Sequence, residues 1–194
     1  MKYRISYILF VLLLSYGVTS AQLTSSNFSI GPRVGVNFSN VSEIDQAKML
    51  TGLALGITST YSINENSGLT VDALYSQEGY KLSGSSIKFN YLRVPILYNI
   101  FFGELGQSFR PKVFLGPQLG YMLSSDMDEN ELNKFSIGVG AGLGFNYQLQ
   151  ERVWLNTDLR SFFELNPLSK SSSTLPDKTK IRNIHLSIGI AWGI

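Results

Sequence analysis

The chain has 194 residues, 44% hydrophobic and 15% charged, with 16 basic against 14 acidic side chains and no cysteine. The missing cysteine excludes a disulfide framework, a thiolate metal site and a lipidated N-terminal cysteine, and the near-neutral charge gives no footprint for a nucleic-acid partner. Charge well below the roughly 25% of an ordinary soluble domain points instead to an apolar surrounding.

Residues 1–21 read as a cleavable secretory signal. Lys2 and Arg4 form a basic start, Ile8 to Leu14 a short apolar core, and Thr19-Ser20-Ala21 a small-residue cleavage site. The mature domain is then 22–194, and removing Lys2 and Arg4 from the 16 basic residues leaves 14 against 14 acidic ones. No helical-length apolar window follows, so a secreted chain of low charge has one way to span a membrane, a closed β-barrel.

Eight period-two segments follow in chain order. Phe28 to Phe38 places Phe28, Ile30, Val34, Val36 and Phe38 on one face, and Leu53 to Ile63 repeats this with Leu53, Leu55, Ile57, Tyr61 and Ile63. Leu69 to Tyr80 opposes Leu69, Val71, Ala73 and Tyr75 to Thr70, Asp72, Leu74, Ser76 and Glu78. Ile87 to Ile100 opposes Leu92, Val94, Ile96, Tyr98 and Ile100 to Tyr91, Arg93, Pro95, Leu97 and Asn99. Lys112 to Leu123 carries Val113, Leu115, Leu119 and Tyr121 against Lys112, Phe114, Gly116, Gln118 and Gly120. Phe135 to Tyr147 is the most distinctive segment: its second face is Ser136, Gly138, Gly140, Gly142, Gly144 and Asn146. Arg152 to Leu165 and Arg182 to Ile194 complete the set, the last opposing Ile184, Leu186, Ile188, Ile190, Trp192 and Ile194 to His185, Ser187 and three small residues. An even count with hairpin connections predicts an all-β, antiparallel, up-and-down transmembrane barrel.

The connections after segments two, four and six are short, and those after one, five and seven run to about a dozen residues each, Ser83 to Ser86 being a short exception. Short turns are periplasmic in outer-membrane barrels, so both termini are expected in the periplasm of a Gram-negative cell. Pro32, Pro95 and Pro117 fall inside segments and demand a bulge or a missing ladder bond.

Alternation alone fits a lipid-embedded barrel or, with opposite sense, a soluble lipocalin-like carrier. The aromatic residues separate the two. Phe28, Tyr61, Tyr98, Tyr147 and Trp192 fall at one end of the apolar face, and Phe38, Tyr75, Tyr121, Phe135 and Phe163 toward the other. Two aromatic girdles around one apolar band suit a bilayer. The ten steps from Phe28 to Phe38 rise roughly 25 Å at ~3.3 Å each and a tilt of about 40°. The other face carries Arg33, Arg93, Lys112 and Arg160, with Asp72, Glu78, Asp158 and Glu164 to neutralise them, and His185. Eight strands enclose a space that side chains fill, which predicts a plugged lumen; a narrow channel is the alternative.

Over Phe28 to Ile194 the chain resembles the PorT-like small outer-membrane barrel proteins, akin in architecture to the eight-stranded OmpX-type barrels. The resemblance rests on Tyr91-Leu92-Arg93-Val94-Pro95, Leu115-Gly116-Pro117 with Gly120-Tyr121, Asp158-Leu159-Arg160 and the C-terminal apolar dyad. The family usually carries an acid where Arg93 stands, and an aromatic at the terminal position, which is Ile194 here, with Trp192 standing in for the aromatic. The family name points to type IX secretion, a role these motifs do not themselves carry.

No residue set makes an enzyme. Gly138, Gly140, Gly142 and Gly144 lack the dinucleotide spacing and the following helix, so lumen packing is expected and no cofactor. His185 with Ser187 and Glu164 has the residue types of a hydrolytic triad, but two residues on one strand face stand ~7 Å apart and a filled lumen admits no substrate. Asp126, Asp128, Glu129 and Glu131 lack a calcium-loop pattern and read as a solvated loop, with no metal expected. Lys170, Lys178, Lys180 and Arg182 could meet lipopolysaccharide phosphates. The expected role is structural or interacting, through loops that contact lipopolysaccharide, an external ligand or an envelope protein.

Overall fold

The computed structural model describes residues 27–103, 107–170, 176 and 178–194; the expected signal lies outside the described residues. The strands are β1 (Phe28–Val41), β2 (Lys48–Asn64), β3 (Ser67–Leu82), β4 (Ser85–Phe101), β5 (Phe109–Ser125), β6 (Phe135–Gln150), β7 (Val153–Glu164) and β8 (Ile181–Gly193). Each pairs antiparallel with its sequence neighbours, and β1 pairs with β8 to close the barrel in the order β1-β2-β3-β4-β5-β6-β7-β8.

Alternation drives this arrangement. Val34, Leu55, Ile57, Leu115, Val139, Leu143, Leu159, Leu186 and Ile188 are exposed on the outside, while Arg33, Thr58, Asp72, Asp158 and Arg160 are buried within. A soluble carrier needs the reverse sense, and that alternative is discarded. Of the ten aromatic residues singled out above, nine are exposed on the outer face and Phe38 is half-buried. Phe28 stands opposite Tyr61 near one rim, and Tyr121 opposite Phe135 toward the other.

The strands run further than the periodicity suggested, β2, β4 and β5 reaching 17 residues each. At the end where β1 starts and β8 finishes, the terminal end, residues 65–66, 102–108 and 151–152 connect the strands. At the opposite end, the loop end, the connections are 42–47, 83–84, 126–134 and 165–180. The first of these is about half the length expected, because β1 and β2 continue as a ladder past Phe38 and Leu53.

The prolines sit at missing ladder bonds rather than bulges. Pairing lapses between Ile30↔Trp192 and Arg33↔Gly189, between Val71↔Ile96 and Leu74↔Arg93, and between Pro95↔Gln118 and Tyr98↔Leu115, each time without a change of register. Pro32, Pro95 and Pro117 fall within or beside these lapses, where a donor is absent anyway. Beside Pro117, the Ile96 carbonyl occupies the space a Cβ would need on Gly116, so only glycine lets the strands approach there.

Candidate functional site

The chemistry of the molecule is concentrated inside the barrel. Nearer the terminal end, Arg33 from β1, Asp72 from β3, Lys112 from β5 and Asp158 and Arg160 from β7 converge across the lumen. Arg33 Nη1 donates to Asp158 Oδ2 at 2.5 Å, Arg160 Nη2 to the same oxygen at 2.7 Å, and Lys112 Nζ lies 2.9 Å from Asp158 Oδ1. Arg160 Nη1 bonds Asp72 Oδ2 at 2.5 Å, while Ser187 and Thr58 accept from Arg33. Three cations and two carboxylates leave this group with one formal positive charge.

Toward the loop end, Arg93 presents its fork to Glu78, with Nε to Oε1 at 2.9 Å and Nη2 to Oε2 at 2.6 Å, and also meets Glu164 at 2.7 Å. This paired geometry is the stronger form of a guanidinium–carboxylate contact. The guanidinium lies over the Tyr91 ring at 3.8 Å and donates to Ser136. One cation and two carboxylates leave this group one negative charge. Phe162 stands between Arg160 and Glu164 along β7, and with Leu97 and Phe114 makes an apolar cluster between the two groups. The eight charges thus balance overall, but in two groups of opposite sign.

His185 belongs to neither group. Its Nδ1 lies 2.8 Å from Asn37 Oδ1, which also accepts from Asn183, while Asn37 Nδ2 donates to Ser76 Oγ and Ser76 donates to Glu78. A hydrogen-bonded path therefore runs from His185 on β8 through Asn37 to the Arg93 group. The triad reading of His185, Ser187 and Glu164 fails on geometry: their partners are Asn37, Arg33 and Arg93 respectively.

The glycine face of β6 is filled by its neighbours. A Cβ on Gly140 would overlap the Phe162 ring, and one on Gly142 the Phe114 ring. Gly140 and Gly142 make room for aromatic rings and Gly144 for Asp158, while a Cβ on Gly138 would meet the Phe163 backbone carbonyl.

Above the Arg93 group the lumen turns apolar, a feature missed in the sequence. Val41, Tyr80, Phe89, Tyr91, Met122 and Ile181 close the mouth together with Leu132 and Leu168, one from each long loop. The loops hold those leucines in place by pairing with each other. Leu132 bridges to Ser169, Asn133 donates its side-chain amide to the carbonyls of Pro167 and Ser169, and Lys170 N–H bonds Glu131 O. The signal was present as two isolated leucines in polar loops, facing inward-pointing aromatics near the ends of β3 and β4.

The acidic loop contains a short 3-10 turn, Glu129–Glu131, capped by Asp128. Among the described residues no group of acidic and histidine side chains is arranged to hold a metal ion. Glu129 pairs with Lys134 at 2.8 Å, and that contact raises the exposed ammonium's pKa above its ordinary value. Of the basic loop residues, Lys170 donates to Asn130 O, Lys178 is exposed and Arg182 projects from β8.

A closed barrel with an aliphatic exterior and a charged, filled interior is an integral membrane barrel. The chain belongs to the outer membrane protein beta-barrel domain family, whose model matches residues 8–192. No curated protein sequence matches it. Among solved structures, the Neisserial surface protein A is 19% identical with a TM-score of 0.58, over 87% of this chain and 98% of that one. OprG from Pseudomonas aeruginosa is 19% identical with a TM-score of 0.57, over 86% and 95%. The Escherichia coli outer membrane protein W is 13% identical with a TM-score of 0.55, over 89% and 100%. At these identities the likeness is one of fold.

Proposed function

We propose that this outer-membrane protein is a sealed, non-catalytic barrel that acts as a structural or interaction element through its loop end, which faces the cell exterior while both termini face the periplasm. The observation that carries this reading is the closure of the mouth by Leu132 and Leu168 over Tyr80, Phe89 and Tyr91, above a lumen crossed by two ion-paired groups. A solute would have to displace both. The lumen network is read as the core that holds the strands together, and the girdle residues as the boundary of the lipid-facing band.

The orientation follows from the loop asymmetry, since long connections are extracellular in barrels of this kind. The Tyr91-Leu92-Arg93-Val94-Pro95 and Gly120-Tyr121 motifs further support a PorT-like subfamily. Cleavage after Ala21 would give the mature chain. A partner at the loop end, whether lipopolysaccharide or an envelope protein, meets the surface formed by residues 126–134 and 165–170.

Planar-bilayer recording tests the seal: refolded protein should insert without raising conductance above baseline, and a steady single-channel current refutes it. The chain has no cysteine, so Lys178→Cys reports orientation. A membrane-impermeant thiol reagent should label it in intact cells, and labelling only after lysis reverses the assignment.

A further inference from the structure

The outer wall beyond the apolar band carries a group of cations that no interior contact explains. Lys48 on β2 stands directly opposite Lys81 on β3, and Gly79↔Lys88 with Lys81↔Ser86 sets Lys88 of β4 diagonally beside Lys81. Tyr80 and Phe89 are buried inside the mouth, so their neighbours Lys81 and Lys88 project outward, as does Lys48 beside them; all three are exposed. Like charges directly opposite on a ladder are destabilising. Among the described residues none of the three forms an ion pair, although Glu43 and Asp45 lie in the adjoining 42–47 loop. Asp126 accepts from the Lys88 backbone N–H, not from its ammonium, at 3.0 Å.

The wall beneath these lysines shows where in the membrane they sit. Tyr75 donates to Asn90 at 2.8 Å and Asn90 to Ser124 at 2.9 Å, a polar belt immediately past the outward Leu92 and Tyr121. From Asn90 to Lys88 is two residues, and to Ser86, the level of Lys81 and Lys48, four, rises of roughly 5 Å and 10 Å along a tilted strand. The ammoniums therefore stand just outside the hydrocarbon, at the level of lipid headgroups. Glycolipid phosphates are the anions at that level in an outer leaflet, and lysine binds phosphate as a mobile point charge.

We propose that Lys48, Lys81 and Lys88 form a site on the barrel wall for the phosphate groups of a glycolipid in the surrounding leaflet. The site is built on strands, not on the basic 165–180 loop, and it retains a lysine pair whose mutual repulsion the bound phosphate relieves. The proposal rests on the loop end lying in the outer leaflet.

The test uses full-length refolded protein in neutral detergent micelles, with lipid A bearing both phosphates, dephosphorylated lipid A and inorganic phosphate as probes. Binding should weaken roughly fivefold for each lysine replaced, and by about a hundredfold in Lys48→Gln/Lys81→Gln/Lys88→Gln. The corresponding triple arginine variant should bind like the unaltered chain, and heat-modifiable gel mobility should confirm that all variants fold. Lys178→Gln, in the loop but outside the partner surface of residues 126–134 and 165–170, should leave binding unchanged. Unaltered affinity in the triple glutamine variant, equal binding of dephosphorylated lipid A, or loss in the loop variant instead overturns the proposal. Inorganic phosphate binding as tightly as lipid A overturns the glycolipid as source. Micelle binding does not depend on orientation, so its failure is separable from a reversed result in the Lys178→Cys labelling.

Discussion

Replacing Asp158 by Asn removes the charge on which the larger interior group converges. Asp158 accepts from Arg33 and Arg160 at 2.5 and 2.7 Å and pairs with Lys112 at 2.9 Å, all side chains being almost wholly buried. The substitution keeps the side-chain volume but leaves Arg33, Arg160 and Lys112 facing Asp72 alone, with two net positive charges in place of one. Breaking a buried pair by deleting one partner costs about 3–5 kcal/mol, which corresponds to a shift in the folding equilibrium of roughly two to three and a half orders of magnitude. Lys112→Met together with Asp158→Asn returns the group to one net positive charge, so the double variant should be more stable than Asp158→Asn alone. Equilibrium urea unfolding in lipid vesicles, followed by tryptophan fluorescence and by heat-modifiable mobility, measures both. A loss under about 1 kcal/mol in Asp158→Asn, the range of exposed pairs, or no recovery in the double variant, refutes the view that this group is an electrostatically coupled core.

Gly140→Leu should abolish or strongly slow barrel formation, because its side chain would overlap the Phe162 ring, whereas Val139→Leu on the outer face should fold as before; gel mobility after refolding separates them. Leu132→Asn/Leu168→Asn should release the paired loops from the mouth and open residues 126–134 to proteolysis, while circular dichroism retains the strand signal. Val34→Cys/Ile188→Cys, register partners across the closing seam, should cross-link readily in the folded barrel, and Val34→Cys/Ile190→Cys should not.

Much of the fold was legible because a barrel in lipid separates two unlike environments along every strand. Leu143 and Gly142 are adjacent in sequence, yet one meets lipid and the other the Phe114 ring. Which side chains would share the interior was therefore readable. Which of them would touch was not, since Arg160 and Asp72 come from β7 and β3 and meet only because of the shear of the closed sheet. The division of eight charges into two oppositely charged groups is likewise a product of register. The paired loops escaped notice because loop sequences carry no periodicity, and the meeting of Leu132 with Leu168 depends on tertiary docking alone. The 42–47 connection is shorter than expected for a related reason: beyond the membrane the outer face turns polar at Asn40 and Lys48 while the inner face turns apolar at Val41 and Leu50, so the alternation that marks the strand changes sense before the strand ends.

The position of the polar groups bears on how the barrel chooses its register. A one-residue slip at the β1–β8 seam would turn every apolar side chain inward, and hydrophobicity forbids it. A two-residue slip keeps every face correct, so the apolar exterior cannot distinguish it from the native pairing. The interior can. A two-residue slip that sets Arg33 opposite Ala191 moves it by roughly 6.6 Å relative to β8, away from Ser187, and separates Asn37 from both His185 and Asn183, whose bonds cross this seam; the opposite slip moves His185 from its place opposite Asn37. Each abandoned partner would remain buried and unsatisfied, at about 1–3 kcal/mol apiece and more for the charged group. Several such losses exceed the small difference that the uniform lipid face offers between even registers. The lumen network is thus best understood as the element that closes β1 on β8 in one register. This role requires buried polar side chains, and a purely apolar core of equal volume would not supply it.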